Sequence, residues 1–206
     1  MNKEILFILL PDYAAHEAVY FSQAITADDF AMKKNPKYVN KVVAPTLEPI
    51  SSIGGFRTLP DYSFDTMHDD YVALVLIGGF GWNTPVAEKV MPIIKSAIEQ
   101  EKVIGAICNA ASFMAKCGFL NSVKHTGNGL EQLKLWGKEN YTNSNNYIHA
   151  QVVSDKNIVT ANGSATLEFA KELLLLLDND TPEHIEMFYQ FHKQGFCSLF
   201  PDTGDK

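Results

Sequence analysis

Short apolar runs alternate along the chain with longer segments in which apolar residues recur every three or four positions. Runs rich in Ile, Leu and Val predict strands that are buried on both faces, and the three-to-four spacing predicts amphipathic helices. The predicted strands are residues 5–10, 38–43, 72–77, 103–107, 149–154 and 157–160. The last two are predicted to pair about a turn at Asp155 and Lys156.

Helices are predicted between these strands, and several carry recognisable end signals. They cover residues 14–28, 86–101, 110–116, 130–136 and 165–177, and a last helix begins at Thr181. Gly118 fits the position after a helix end, and Ser164 is predicted to cap the helix that follows it. Thr181 is predicted as the cap of the last helix, with Pro182 in its first turn.

Two segments do not follow the strand-and-helix alternation. Gly54 and Gly55 predict a two-residue hairpin turn between short strands at 50–53 and 56–58. Residues 121–146 read as loop around the helix at 130–136, and they end in an Asn-rich stretch at 140–146 whose role the pattern does not indicate.

Strands that alternate with helices predict an α/β fold, a three-layer sandwich in which helices cover both faces of a mainly parallel sheet. At 206 residues the chain is shorter than the length at which one core usually divides into two. We therefore expect a single domain over residues 1–206.

Charge and cysteine content narrow the function classes. A net charge of −7 without a Lys/Arg-rich run opposes binding to phosphate backbones, so no nucleic-acid partner is expected. No apolar stretch approaches the roughly 20 residues that span a bilayer, so no membrane partner is expected either. Cys108, Cys117 and Cys197 are an odd number without CxxC spacing, which argues against a disulfide framework and a zinc site and favours a cytoplasmic location.

Ligands of open α/β sheets bind beyond the carboxyl ends of the strands, which draws attention to Cys108 directly after the predicted strand 103–107. In GAICNAAS, small residues let a buried strand turn sharply into a helix, as a nucleophile elbow requires. Such a cysteine faces the positive end of the helix dipole and can acquire a lowered pKa. A buried, inert core cysteine fits the local sequence equally well, and inert packing is the better interpretation for Cys117 and Cys197.

Two further strand ends carry candidate residues. Gly78 and Gly79 follow the predicted strand 72–77, and glycine there lets backbone N–H groups approach a ligand, although a tight turn explains the pair as well. Glu17 lies near the start of the first predicted helix, where a solvated carboxylate that complements the helix dipole is the simpler interpretation.

Taken in order, these segments resemble the DJ-1/PfpI family, a branch of the class I glutamine amidotransferase-like superfamily. The resemblance lies in HEAVY at 16–20, LVLIGGFG at 74–81, AICNAASFMAKCGFLNSVKHTGN at 106–128 and NIVTANGSATLEFAKELL at 157–174. It implies a flavodoxin-like fold and an elbow thiolate at Cys108 that accepts a hydrogen bond from a protonated Glu17. It also implies oxyanion or substrate-binding positions at Gly78, Gly79, Asn109 and Asn128.

The chain departs from the family where a histidine is expected. Asn109 stands where the PfpI-type proteases have a histidine after the cysteine, and the DJ-1-type histidine position falls on His125 or, with a short gap, on Asn128. His125 is therefore a candidate catalytic base, with a structural strand or loop histidine as the alternative. No glutaminase His-x-Glu pair is present, because residues 162–165 read NGSA.

The resemblance implies a cysteine-dependent hydrolase or a glyoxalase or deglycase acting on small carbonyl or amide compounds, without a cofactor or metal. The alternatives are a redox-stress sensor or holdase-like protein that uses a reversibly oxidised cysteine, and a metabolite-binding domain. A homodimer is expected, because family members usually dimerise and the C-terminal stretch holds more aromatic residues than a solvated helix needs: Phe188, Tyr189, Phe191 and Phe196. The alternative is that these aromatic residues cover the domain's own sheet.

Three structural expectations follow for the site. Cys108 should adopt a sparsely populated backbone conformation, because the elbow demands a sharp turn. Glu17 should lie against the Cys108 sulfur, and its pKa should be raised by burial and by the neighbouring thiolate.

Overall fold

The computed structural model describes residues 3–27 and 33–201. Its strands are β1 (Lys3–Ile8), β2 (Tyr38–Ala44), β3 (Ile50–Ser51), β4 (Arg57–Thr58), β5 (Tyr62–Ser63), β6 (Tyr71–Leu76), β7 (Val103–Ile107), β8 (Val152–Asp155) and β9 (Ile158–Ala161). Its α-helices are α1 (Ala15–Thr26), α2 (Met91–Glu99), α3 (Asn109–Lys116), α4 (Leu130–Gly137), α5 (Thr166–Leu176), α6 (Pro182–Gln194) and α7 (Phe196–Leu199). Within these ranges no helix is long and apolar enough to cross a membrane.

One sheet organises the described residues. Its strand order is β5-β2-β1-β6-β7-β9-β8, and every neighbouring pair is parallel except the antiparallel pair β8 and β9. Parallel neighbours need crossover connections. Helices lie in the connections from β1 to β2, from β6 to β7 and from β7 to β9, whereas the hairpin of β3 and β4 lies in the connection from β2 to β5. The carboxyl ends of β1, β6, β7 and β9 therefore meet at one edge of the sheet.

The side chains of the central strands alternate between two cores. Ile5 and Phe7 of β1 pack with residues of α1, α5 and α6, whereas Leu6 and Ile8 pack with residues of α2, α3 and α4. All four are almost completely buried. Strands with two buried faces explain the continuous apolar runs, and the predicted three-layer α/β sandwich is confirmed.

The predicted helix over 86–101 is wrong in its first half. Residues Pro85–Val90 form a 3-10 segment, and α2 begins only at Met91. Pro92 has no N–H to donate to the carbonyl four residues earlier, and its ring clashes with that carbonyl in a continuous α-helix. The chain therefore restarts its helix at the proline.

The Ser164 cap is also wrong. Ala165 is the residue that precedes α5, and it provides no side-chain cap. The Ser164 hydroxyl instead donates to Asn162 Oδ1 over 2.7 Å, which stabilises the loop between β9 and α5.

Two other helix-end predictions are confirmed. The Thr181 hydroxyl accepts a hydrogen bond from the backbone N–H of His184, with Pro182 as the first residue of α6. Gly118 follows α3 with a φ of 76°, a left-handed conformation that glycine adopts without steric cost.

The hairpin exists, but its turn is longer than two residues. Ser51 of β3 pairs with Arg57 of β4, so five positions, 52–56, connect the strands. Ser52 pairs instead with Tyr13, just after β1. The hairpin is thereby anchored beside the edge of the sheet where the candidate site lies.

The Asn-rich stretch has a structural role in the loop after α3. Asn143 Nδ2 donates to the carbonyls of Leu120 and Val123, each over 2.9 Å. The backbone N–H of Thr142 donates to Asn121 Oδ1 over 2.9 Å. Side-chain amides can donate and accept at once, and here they satisfy the backbone groups of a long loop.

The aromatic residues that prompted the dimer expectation divide between two environments. Phe188 is buried against Tyr20, and the Tyr189 hydroxyl donates to Glu168. Phe196 remains 60% exposed. Packing within the chain thus accounts for part of the stretch, and the homodimer stays a prediction.

Gly105 in β7 provides a stability test of the sheet-to-helix packing. A Cβ on Gly105 would lie 2.8 Å from Phe169 Cζ and 2.9 Å from Leu173 Cδ1, both fully buried on α5. Gly105→Ala should therefore destabilise the fold by about 1–3 kcal/mol through overpacking. Urea unfolding, monitored by circular dichroism, measures the change.

Gly54→Ala is the matched control, because the nearest atom to its added Cβ is Ser52 Oγ at 3.9 Å. Both substitutions remove the same backbone freedom from the unfolded chain. An equal midpoint for the two variants would show that α5 does not pack tightly on Gly105.

Candidate active site

Four strand ends place their following residues around one sulfur atom. Cys108 follows β7, Gly78 follows β6 and Gly163 follows β9. Glu17 reaches the same point from the first turn of α1, which follows β1. The sequence prediction that strand ends carry the site therefore holds for Cys108, Glu17 and Gly78.

Cys108 has a φ of 61° and a ψ of −127°, and it is the residue immediately before α3. A non-glycine residue at positive φ is uncommon, and a strained conformation of this kind costs of order 1–3 kcal/mol. The predicted strained elbow is confirmed. Its sulfur is half-buried and accepts a hydrogen bond from Asn128 Nδ2 over 3.3 Å and one from the backbone N–H of Asn109.

Glycine is required on two sides of the sulfur. A Cβ on Gly78 would overlap both Glu17 Oε2 and Cys108 Cβ. A Cβ on Gly163 would lie 2.9 Å from Cys108 Sγ and 3.2 Å from Glu17 Oε1. The Glu17 carboxyl and the Cys108 thiol can meet only because Gly78 and Gly163 have no side chains.

Glu17 is 1% exposed, so the interpretation of a solvated carboxylate is wrong. Its Oε2 accepts a hydrogen bond from the backbone N–H of Gly78 over 2.8 Å, and its carboxyl hydrogen-bonds the Cys108 thiol. Burial raises the pKa of Glu17 from 4.5 to about 7, against the lowering effects of Cys108, Gly78 and His16. The expected raised pKa is confirmed, and burial is its cause. The expected contribution of the neighbouring sulfur is wrong, because the contact with Cys108 lowers the pKa of Glu17.

The expectation of a lowered pKa for Cys108 is not met. Burial raises the pKa of the thiol, and the negative charge of an ionised Glu17 raises it further, while the donors from Asn128 and Asn109 lower it. A protonated Glu17 removes that repulsion and adds a donor. Thiolate formation is therefore tied to where the Glu17 proton resides.

Gly79 and Asn109 form a polar pocket beside the thiol. Asn109 Nδ2 donates to the Gly79 carbonyl over 2.9 Å, and Gln132 Nε2 donates to Asn109 Oδ1 over 2.8 Å, which fixes the orientation of both groups. Gly79 pairs with Tyr13 so that its own N–H and carbonyl point away from Tyr13. Among the described residues the Gly79 N–H has no acceptor.

The structure separates the two candidates for the family's histidine position. Asn128 contacts the sulfur, whereas His125 is fully buried with both ring nitrogens engaged. His125 Nδ1 lies 2.9 Å from the Val123 carbonyl, and Nε2 lies 2.6 Å from the Tyr141 hydroxyl. Burial lowers the pKa of His125. The geometry supports the structural alternative for His125 and does not support its role as base.

The other two cysteines lie outside this cluster. Cys117 ends α3, where burial raises its pKa to about 11, and Cys197 is exposed in α7. A thiol with so high a pKa is a poor nucleophile at neutral pH.

Sequence reasoning missed three contributors: Gly163, Gln132 and His16. Gly163 follows β9, so the rule that located Gly78 could have located it too. An open groove of about 610 Å³ begins at Gly163 and Asn128, next to the sulfur. His16 Nε2 lies 3.3 Å from the Gly163 carbonyl. Gln132 contacts Asn109 and His16 contacts Gly163, and both partners are far away in the sequence. No local sequence pattern therefore indicates either contact.

Known proteins resemble this chain over most of its length. The DJ-1/PfpI family model matches residues 3–176. A Bacillus subtilis (strain 168) protein named uncharacterized protease YdeA is 37% identical over 204 residues, 98% of each chain. Uncharacterized protease YoaZ from the same organism is 35% identical over 147 residues, 71% of this chain and 70% of its own.

Solved structures share the fold over most of the chain. The DJ-1 superfamily protein Atu0886 from Agrobacterium tumefaciens is 30% identical with a TM-score of 0.82, covering 93% of this chain and 98% of its own. A thiJ/pfpI family protein from Bacillus anthracis is 29% identical with a TM-score of 0.85, covering 97% and 94%. On the family match, these relatives and the shared flavodoxin-like sandwich, the chain belongs to the DJ-1/PfpI family.

Proposed function

We propose that the protein is a cysteine-dependent enzyme that acts on small carbonyl compounds, with α-oxoaldehydes as its substrates and Cys108 as its nucleophile. One observation carries the proposal: a buried carboxyl with a pKa of about 7 contacts a thiol on a strained elbow. A group that titrates near neutral pH can both take and return protons during a reaction.

The first step is the addition of sulfur to the aldehyde. The Cys108 sulfur forms a bond to the aldehyde carbon, the carbonyl electron pair moves to oxygen, and Glu17 passes the thiol proton to that oxygen. The free N–H of Gly79 stabilises the negative charge while it develops. The product is a hemithioacetal.

Glu17 then acts a second time, as a base. Its ionised carboxylate removes the hydrogen of the former aldehyde carbon, and the electron pair moves toward the neighbouring ketone. Return of the proton to that neighbouring carbon, together with transfer of the hydroxyl proton from the former aldehyde oxygen to the former ketone oxygen, gives a 2-hydroxy thioester. One carbon is oxidised while the other is reduced, so no external oxidant is needed. Water then adds to the thioester, the carbon–sulfur bond breaks, the sulfur recovers a proton, and a 2-hydroxy acid leaves.

The same site is less suited to peptide bonds, although relatives of the chain are named proteases. Peptide cleavage requires an acid that protonates a leaving amine beyond the nucleophile. Asn128 and Asn109 surround the sulfur with amides that do not titrate. The carboxyl of Glu17 is buried and accepts a hydrogen bond from the Gly78 N–H. We therefore place small carbonyl compounds ahead of amides as substrates.

A redox sensor is the second candidate, and the absence of a histidine contact to the sulfur among the described residues favours it. Oxidation of Cys108 to a sulfenic acid, which thiols can reverse, would place a new oxygen near the Asn128 amide and the protonated Glu17, both of which are donors. In that case the protein would react with peroxide but would not turn over a carbonyl substrate.

The nucleophile is tested with methylglyoxal, and lactate formation is followed by proton NMR. Wild type should form lactate, and Cys108→Ser should lose roughly a thousandfold or more of the rate, the scale seen when a catalytic nucleophile is removed. Cys117→Ser is the matched control and should retain the rate, because Cys117 lies at the far end of α3. Wild type without turnover, but with reversible peroxide oxidation at Cys108, would favour the sensor.

The donor role of Glu17 is tested by the rate of iodoacetamide alkylation at Cys108 at pH 7. If a protonated Glu17 donates to the thiolate, Glu17→Ala should react more slowly than wild type, and Glu17→Gln, which keeps an N–H donor, should lie between them. Faster alkylation of Glu17→Ala would mean that an ionised Glu17 repels the thiolate instead.

Protein stability gives an independent measure of the Glu17 proton. Because the folded-state pKa of about 7 lies above the ordinary value of 4.5, the unfolded chain binds fewer protons between these values. The contribution of Glu17 to stability is therefore complete below pH 4.5 and is lost as the pH rises to 7. The loss should amount to about 3 kcal/mol. Urea midpoints of wild type and Glu17→Gln, compared at pH 5 and pH 8, should diverge in favour of Glu17→Gln at pH 8.

A further inference from the structure

The peptide at Gly163 covers the reactive sulfur, and it is held from two sides. Its N–H donates to Asn128 Oδ1 over 2.9 Å. Its carbonyl lies 3.3 Å from His16 Nε2. The same glycine approaches Cys108 Sγ and Glu17 Oε1 so closely that a methyl group on it would contact both. The position of Gly163 thus sets how much room a reagent finds at the sulfur.

His16 occupies a particular place among the histidines of the chain. It lies in the first turn of α1, next to Glu17 in sequence, and its ring is exposed while the Glu17 carboxyl is buried. Its contact with Gly163 joins residues 147 positions apart, from α1 to the loop between β9 and α5. Both ring nitrogens of His125, in contrast, are engaged in buried contacts with Val123 and Tyr141.

We propose that His16 is a positioning residue of the Cys108 site, whose ring ties the first turn of α1 to the Gly163 loop over the sulfur. Asn128 fixes one edge of the Gly163 peptide and His16 fixes the other. The inference deepens the proposed function, but it requires only a reactive Cys108 and no turnover. No local sequence motif indicates this role of His16, because its partner Gly163 lies 147 positions further along the chain.

A charged ring at His16 has an electrostatic consequence for the buried carboxyl. The titratable groups that act on Glu17 are His16 on its own helix and Cys108 on the elbow, and the described residues of the Gly78 turn and the Gly163 loop add none. A protonated His16 favours the ionised form and lowers the pKa of Glu17. A histidine that only filled space would not have this effect.

The test uses alkylation of the full-length protein, read at the Cys108 peptide by mass spectrometry across pH. Two variants are compared with wild type: His16→Gln, which keeps an N–H for the Gly163 carbonyl, and His16→Ala, which does not. Two reagents, small iodoacetamide and bulkier N-phenylmaleimide, report the room at the sulfur. His149→Gln is the matched control, because His149 lines the groove that Gly163 and Asn128 border but is not among the groups that act on Glu17.

Both readouts have a defined outcome. The alkylation rate at Cys108 should rise with pH in two steps, and the step at lower pH reports Glu17. This step should move to higher pH in both His16→Gln and His16→Ala, because neither variant has the His16 charge that lowers the pKa of Glu17. The ratio of the maleimide rate to the iodoacetamide rate should rise by about threefold to tenfold in His16→Ala alone, the range expected for one net hydrogen bond. The control should change neither.

An unmoved inflection in both variants, or a rate ratio in His16→Ala equal to that of wild type or of His16→Gln, would overturn the proposal. These outcomes are separate from the failure of the proposed function. A protein that alkylates selectively at Cys108 but forms no lactate from methylglyoxal would contradict the enzymatic proposal and leave the role of His16 intact.

Discussion

The contact between the Glu17 carboxyl and the Cys108 thiol is the constraint on which the rest of the site depends. Two ionisable groups buried together cannot both carry a negative charge without a large cost, so the pair holds at least one proton near neutral pH. Burying the carboxyl also requires that its neighbours come close without side chains of their own. Gly78 and Gly163 meet that requirement at the ends of two different strands. The two glycines thus make room for the contact, and the burial of Glu17 that accompanies it raises the pKa of the carboxyl.

The sheet makes this contact possible, because parallel strands bring their carboxyl ends to one edge. β6, β7 and β9 are adjacent in the sheet, and their registers align the residues that follow them. The strained backbone of Cys108 is held between two fully buried neighbours, Ile107 in β7 and Ala110 in α3. Packing on both sides of the elbow offsets a strain that would otherwise relax. The fold therefore presents the thiol at a fixed point rather than on a mobile loop.

The order of strands and helices could be predicted from the sequence, because buried parallel strands give continuous apolar runs such as residues 103–107. Some predicted helix boundaries were wrong for local chemical reasons. The apolar spacing predicted one helix over 86–101, but α2 begins only at Met91, next to Pro92. The Ser164 hydroxyl donates to Asn162 within its own loop and does not cap α5. The elbow at Cys108 was visible because its small flanking residues are adjacent in sequence. The burial of Glu17 was not visible locally, since it depends on Gly78, 61 positions away.

The histidine question shows the same limit and leads to a chemical consequence. Spacing alone allowed either His125 or Asn128 at the sulfur, and only the packing of His125 against Tyr141 decides between them. With an amide at that point, the groups that touch the sulfur from the described residues can orient and stabilise charge, but among them only Glu17 exchanges protons in the neutral range. A site with one titrating partner favours reactions in which a single group moves a proton back and forth. Addition of a thiol to a small carbonyl is such a reaction, because the proton that leaves the sulfur is needed on the oxygen of the carbon that the sulfur attacks.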